Sequence, residues 1–285
     1  MSAFARLARS FRLTSPFRRA ATADLKRGLT QREFVVHYQP KVEITGGQVM
    51  GVEALVRWNH PQRGLILPAE FLPTAAEAPS LLAELTAQVL ETALNDCASW
   101  RDRGLELSLA VNIATEVLLE RPLIGLVEGA LRANRIAPSW LTLELTEGAL
   151  SEREAEVTRT LKGLRGLGVS LSIDDFGTGH SSLARVRALP LNELKVDRSF
   201  IAGIANDTRD IGIARHVIEL GLELGMQVVA EGVEDKPTLE VLRSLGCTMA
   251  QGFYISPPLA EDQLRRWLAS QPLGPLPPSS RDSPS

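Results

Sequence analysis

Residues 169–179 read VSLSIDDFGTG. Val169–Ile173 is a short apolar and β-branched run, the pattern of a buried strand. It closes on two adjacent acids, Asp174 and Asp175, and passes into a turn whose Gly177 and Gly179 permit tight backbone geometry. An ordinary strand-to-helix turn accounts for the glycines but not for the paired acids. Outward from this stretch the same unit recurs. Strands are predicted at Phe34–Tyr38, Gly51–Trp58, Leu107–Asn112, Leu141–Leu145, Glu193–Val196, Gln227–Ala230 and Ala250–Ile255, making eight in all. Segments of helical period follow most of them. In Thr208–Leu224, for example, Ile211, Ala214, Ile218 and Leu222 share a face and Gly225 offers a stop. Strands alternating with helices over roughly 250 residues predict an α/β fold of the TIM type, a (β/α)₈ barrel, rather than an open sheet.

The rest of the chain sets bounds. Its 285 residues suffice for one barrel-sized domain, and 44% apolar content, 23% charged content and a formal charge of −3 describe an ordinary globular protein. No long-range attraction to nucleic acid follows, so DNA is not an expected partner and any phosphate must be captured locally. Cys97 and Cys247 are too few and too far apart for a disulfide framework or a metal knuckle. Cys97 falls on the apolar stripe Leu82, Leu85, Val89, Ala93, Trp100 and reads as core. With no apolar run of membrane-spanning length and no secretory signal, a cytoplasmic location is expected. Residues 1–24 form a basic leader: Arg6, Arg9, Arg12, Arg18 and Arg19 occur with no acid before Asp24. Phe4, Leu7 and Phe11 would suit a weak membrane-surface helix. Pro16 and the shortness of the stretch favour a flexible leader. The domain is expected over 25–270, and the Pro- and Ser-rich tail 271–285 is expected to be disordered.

In a (β/α)₈ barrel, function gathers where the strands end. The strand ends supply Glu53, Asn112, Glu144, Asp174 with Asp175, Lys195, Glu231 and Gln251, Glu53 lying mid-run. Any one of these acids has a bland explanation as a helix cap or a solvated charge. Five carboxylates converging on one mouth are different, because their repulsion must be relieved by cations or by protonation. Oxygen donors without His or Cys select Mg²⁺ or Mn²⁺, allow Ca²⁺ as an inhibitor and argue against zinc. Adjacent acids can bridge two ions ~4 Å apart, an arrangement that activates water for in-line displacement at phosphorus. Phosphodiester cleavage is the expected chemistry.

Eight segments of this chain resemble the EAL-domain cyclic di-GMP phosphodiesterases. They are YQPKV at Tyr38–Val42, EALVRWNHP at Glu53–Pro61, VN at Val111–Asn112, ELTE at Glu144–Glu147, DDFGTGHSSL at Asp174–Leu183, LKVDRSF at Leu194–Phe200, AEGVE at Ala230–Glu234 and QGFYISPPL at Gln251–Leu259. The resemblance runs from about Leu25 to Leu268. It implies a barrel whose first strand is antiparallel to the rest. It also implies two ions per site, one surrounded by Glu53, Asn112, Glu144 and Asp174, the second served by Asp174, Asp175 and Glu231. By the same resemblance Lys195 contacts the attacking water, while Gln39, Leu55, Arg57 and Gln251 occupy substrate-contacting positions. Arg57 is shaped to pair with a phosphate. Glu147 matches a glutamate that holds the DDFGTG loop in its active position, and that loop adjoins the family's dimer contact.

Some positions depart from the family's common pattern: His180, Asn192, Thr248, Ala110 and Ala114. None is a metal ligand, so they bear on loop stability and turnover rate more than on chemistry. The leading reading is an enzyme that opens cyclic di-GMP to linear pGpG. Its alternative is a catalytically weak domain acting as cyclic di-GMP receptor or protein-interaction module, and the complete ligand set favours the enzyme. A third reading, a metal-dependent barrel enzyme acting on a small carboxylate, rests on fold alone. No sensory domain is visible in the sequence, so regulation is expected from the leader, a partner protein, oligomerisation or substrate level.

Overall fold

The structure, a computed structural model, describes residues 17–119, 122–151, 153–177, 183–205 and 207–271. Most of the expected leader, nearly all of the expected tail, and His180 lie outside the described residues.

A helix, α1 (Phe17–Thr30), precedes the first strand, β1 (Phe34–Glu43), which folds back on β2 (Val49–His60). A short β3 (Gly64–Ile66) extends the β2 hairpin before α2 (Pro68–Ala76) and the long α3 (Pro79–Asp102). The βα alternation then runs through β4 (Ser108–Ile113), α4 (Thr115–Leu118), α5 (Leu123–Ala133), β5 (Leu141–Thr146) and α6 (Glu154–Leu167). It continues with β6 (Ser170–Phe176), α7 (Leu183–Ala188), β7 (Glu193–Val196), α8 (Arg198–Ile201), α9 (Thr208–Glu223), β8 (Gln227–Ala230) and α10 (Lys236–Ser244). The closing elements are β9 (Met249–Ala250), β10 (Leu259–Ala260) and α11 (Glu261–Ser270).

Strands β2, β4, β5, β6, β7, β8 and β9 pair in parallel in that order, and β1 closes the ring by pairing antiparallel with both β2 and β9. The result is the expected eight-stranded barrel with its first strand inverted. Strands β3 and β10 are appended to β2 and β1. The largest departures from the expected strand limits are in the first and last strands. β1 runs on through Pro40, paired opposite Val52, to Glu43, so Gln39 and Lys41 are strand residues. The expected strand Ala250–Ile255 stops at Ala250, because the backbone turns back on Val233: Tyr254 donates its N–H to the Val233 carbonyl at 3.0 Å. A Cβ on Gly252 would collide with that same backbone, so only glycine permits the approach.

The strand–helix interface is a fully buried apolar layer, with Leu109, Leu143, Leu171, Ile173, Leu194 and Val228 at 0% exposure, whereas the alternate, inward-facing positions include the buried polar residues Glu144, Ser172, Glu193 and Lys195. The stripe expected on α3 is buried throughout, Cys97 and Trp100 completely. Tyr38 meets the Trp100 ring edge-on at 4.8 Å, and its hydroxyl donates to Asp96 at 2.5 Å, satisfying a phenol that burial would otherwise isolate. Helices α9 and α10 begin on Asp207 and Asp235, whose carboxylates accept from the Arg209 and Thr238 N–H groups. Among the described residues no helix is long and apolar enough to cross a membrane.

Candidate active site

Alternation along β2 places Glu53, Leu55 and Arg57 on one face. Opposite Glu53 on β1 stands Gln39, brought to the same level because β1 is inverted. Asn112 and Glu144 are direct neighbours across β4 and β5. Glu231 and Gln251 follow the last residues of β8 and β9 and continue the ladder, Glu231 N–H bonding the Val196 carbonyl and Gln251 N–H the Ala230 carbonyl.

Adjacent strand residues ordinarily point to opposite faces, so Asp174 and Asp175 could not both serve one site in a regular strand. The pairing of β6 with β7 solves this. Ile173 pairs with Leu194 and Phe176 with Val196, so one extra residue is accommodated on β6, and Asp175 adopts a left-handed φ of 56°. Asp174, Asp175 and Glu231 each offer an oxygen within 4.8 Å of the others. Such a set of hard oxygen donors fits Mg²⁺ or Mn²⁺ in chemistry and spacing.

At the centre lies the Lys195 ammonium. It stands 2.6 Å from Glu231, 2.8 Å from Glu144, 3.2 Å from Asp174 and 3.3 Å from Glu53. Although burial pulls its pKa down, these acids outweigh burial and raise it well above the ordinary lysine value. One ammonium cannot satisfy all of them. Burial works to raise Glu53, but Lys195 and hydrogen bonds from Gln251 and Asn112 prevail and hold it down at about 2. Burial, then the charge on Glu53, pushes Glu144 up to about 8 against both Lys195 and Lys41. Burial also raises Asp174 and, further, Glu231, even though both touch Lys195. The site holds more negative charge than its own cations balance.

Around this centre, Gln251 Nε2 donates to Glu53 at 2.6 Å and to Gln39 at 3.0 Å, and Asn112 Nδ2 donates to Glu53 at 2.6 Å. Gln251 Oε1 is buried with no partner among the described residues. Arg57 is 9% exposed and, among the described residues, makes no ion pair with a carboxylate; its Nη1 donates to the Val56 carbonyl. Glu147, just past β5, accepts from the Gly177 N–H at 3.1 Å and so ties the start of the glycine loop to the end of β5. Glu53, Asn112, Glu144, Asp174, Asp175, Lys195, Glu231, Gln251 and Gln39 therefore lie together at this one mouth.

The family profile described as "EAL domain" matches residues 22–258. The chain belongs to the EAL-domain family. This EAL domain is 42% identical over 243 residues to the bifunctional diguanylate cyclase/cyclic di-GMP phosphodiesterase MucR of Pseudomonas aeruginosa, covering 85% of this chain and 35% of that protein. It is 42% identical over 256 residues to the cyclic di-GMP phosphodiesterase NbdA of the same species, covering 90% of this chain and 33% of the relative. The chain thus spans about a third of the length of these relatives. Among solved structures it is similar to the PaMucR phosphodiesterase in complex with c-di-GMP, at TM-score 0.82 and 40% identity, over 86% of this chain and 99% of that one.

Two departures of this EAL domain from the family pattern have structural work. Asn192 Oδ1 accepts from the Leu171 N–H, and its own N–H and carbonyl bond Leu171 and Gln227, fastening the start of β7 to β6 and β8. Thr248 Oγ1 both accepts from Val228 N–H and donates to the Val228 carbonyl, standing in for a backbone pair. Sequence reasoning missed one pair inside the EAL domain: Lys41, 3% exposed, and Glu193, 6% exposed, meet below the mouth. The signal available was a lysine two residues beyond Gln39, on the same face of β1 once that strand is known to continue.

Proposed function

We propose that this chain is a cyclic di-GMP phosphodiesterase that hydrolyses one phosphodiester of the ring to release linear pGpG. The observation that carries the reading is the convergence of Glu53, Glu144, Asp174 and Glu231 within 3.3 Å of Lys195, with Asp175 alongside. The names of MucR and NbdA and the c-di-GMP complex of PaMucR support the choice of substrate. Six carboxylates, Glu53, Glu144, Asp174, Asp175, Glu193 and Glu231, face two ammonium groups, Lys41 and Lys195. With every carboxylate ionised the excess is four negative charges, the charge of two divalent cations. Burial and then neighbouring acids raise the pKa of Glu144, Asp174 and Glu231, the mark of that missing positive charge, which supports Mg²⁺ or Mn²⁺ as the resident pair. Glu53, Asn112, Glu144, Asp174, Asp175 and Glu231 would hold them. Bound there, the cations would acidify a water and neutralise charge on the phosphate.

The protein's own groups supply the rest. Arg57, a buried guanidinium with no carboxylate partner among the described residues, is suited to grip a non-bridging phosphate oxygen. Leu55, Gln39 and Gln251 line the substrate side, and Gln251 Oε1, without a partner among the described residues, is an acceptor for a substrate N–H or a water. Lys195 stays protonated among its acids, so it orients the attacking water and stabilises charge growing at phosphorus rather than taking a proton. Water oxygen bonds to phosphorus, the 3′-oxygen leaves and takes up a proton, and the ring opens. Glu147 keeps the Asp175–Gly177 backbone ordered for this geometry. The reading carries a cytoplasmic location, where the second messenger acts, and a homodimer through the face adjoining the glycine loop.

The test is chromatography of cyclic di-GMP incubated with the purified chain in Mg²⁺ or Mn²⁺, beside Asp174→Asn. Linear pGpG from the parent and none from the variant is expected. Tight cyclic di-GMP binding with no product in either metal would overturn the enzyme reading in favour of a receptor.

A further inference from the structure

Lys41 and Glu193 form a buried ion pair that neither phosphate capture nor cation ligation uses. The Lys41 Nζ lies 3.1 and 3.3 Å from the two oxygens of Glu193, and 3.5 Å from Oε1 of Glu144. Barrel interiors are normally filled by branched aliphatic side chains, and an interior ion pair is often no more stabilising than an apolar pair of the same volume. Stability alone therefore does not account for two charges at this depth. What the pair reaches does. Each oxygen of Glu144 faces a different lysine: Oε2 accepts from Lys195 at 2.8 Å, and Oε1 faces Lys41. Across the barrel wall Glu144 pairs with Ser172, and Ser172 with Glu193, so the brace and the carboxylate it serves lie on one row of β5, β6 and β7. Lys41 enters this row from the inverted strand β1.

We propose that Lys41, braced by Glu193, is a positioning residue that fixes the carboxylate of Glu144, so that cation affinity depends on a pair touching neither cation nor substrate. The proposal rests on the reading of Glu144 as a cation ligand. Lys41 draws Oε1 downward, which sets the rotation of the Glu144 carboxylate and leaves Oε2 turned to the mouth. Glu193 grips the ammonium with both oxygens, so the lysine cannot swing up to join Lys195 among the acids.

The test uses the full chain and measures Mn²⁺ binding directly by calorimetry, thermal unfolding, and hydrolysis across Mg²⁺ concentration. Lys41→Met is expected to weaken Mn²⁺ binding by about 10–100-fold, the usual effect of removing a group that orients a ligand. KM for cyclic di-GMP at saturating Mg²⁺ should stay unchanged. The double variant Lys41→Met/Glu193→Met, which replaces the pair by apolar groups, should regain thermal stability but not Mn²⁺ affinity. Parent-like affinity in the double variant would make Lys41 a mere counter-ion to Glu193 and overturn the proposal. Should Lys41→Met fail to fold, Glu193→Gln must weaken Mn²⁺ binding in the same direction, and unchanged affinity there overturns it equally. A parent chain that binds no Mn²⁺ defeats the functional reading itself, a result separate from parent-like binding in the variants.

Discussion

Lys195 is 1% exposed and touches four carboxylates, so its charge is fixed by its surroundings. Lys195→Ala is expected to cut kcat by about 10²–10³-fold, the usual loss when one donor to transition-state charge is removed. Cyclic di-GMP affinity measured in Ca²⁺ should remain near that of the parent, because the interaction develops only as the phosphorus gains charge. Affinity falling in step with rate would instead make Lys195 a substrate-binding residue. Calcium itself is expected to compete with Mg²⁺ and lower turnover, since its longer bonds and looser coordination position the water poorly. A rate that rises on adding Ca²⁺ to the Mg²⁺ enzyme counts against that account. Glu144, Asp174, Lys195 and Glu231 stood out in the sequence because each falls at the end of a recognisable strand, and Glu53, mid-run, because it opens a segment that resembles the family. Lys41 and Glu193 were not: Pro40 interrupts the first apolar run, and a lysine beyond an apparent strand end reads as solvated.

At the scale of elements, the end of β6 is tied at Gly177 to Glu147, just past β5. Glu147→Ala removes the acceptor of the Gly177 N–H, and Gly177 has a left-handed φ of 94° with Phe200 close behind it. Faster amide hydrogen exchange at Gly177 is expected, together with a loss of about 10²-fold in turnover as the neighbouring acids leave their aligned positions. Unchanged exchange and an unchanged Mg²⁺ response would detach the loop from activity. Sequence periodicity located β6 but not its bulge. Two acids in succession announce a site, yet only the offset between Ile173/Leu194 and Phe176/Val196 explains how both face it. The last strand was overestimated for a related reason. Ala250–Ile255 is apolar enough for a strand, but the close approach of Gly252 to Val233 is a tertiary constraint that a run of residues does not display.

At the scale of the whole domain, the described residues form a closed barrel, and closure was readable from the count and spacing of βα units. The direction of β1 was implied by resemblance alone, since a strand's residue pattern is the same in either direction. The expectation of a homodimer also belongs to this scale. Light scattering at micromolar concentration is expected to give twice the chain mass, and a fully active monomer there would remove dimerisation from the mechanism.

The inverted first strand also decides where the chain arrives. In a barrel of parallel strands the polypeptide enters on the face remote from the chemistry. Here β1 starts at the rim, with Phe34 opposite Trp58 and Val35 opposite Arg57. The helix before it is riveted to that rim: Asp24 bonds His60 at 3.0 Å, Arg27 pairs with Glu33, and Glu33 accepts from the Trp58 indole at 2.9 Å. α1 is thus joined to β2 one residue from Arg57, the arginine proposed to grip the phosphate. Under that proposal a tilt of α1 would reach the substrate without being relayed through the height of the barrel.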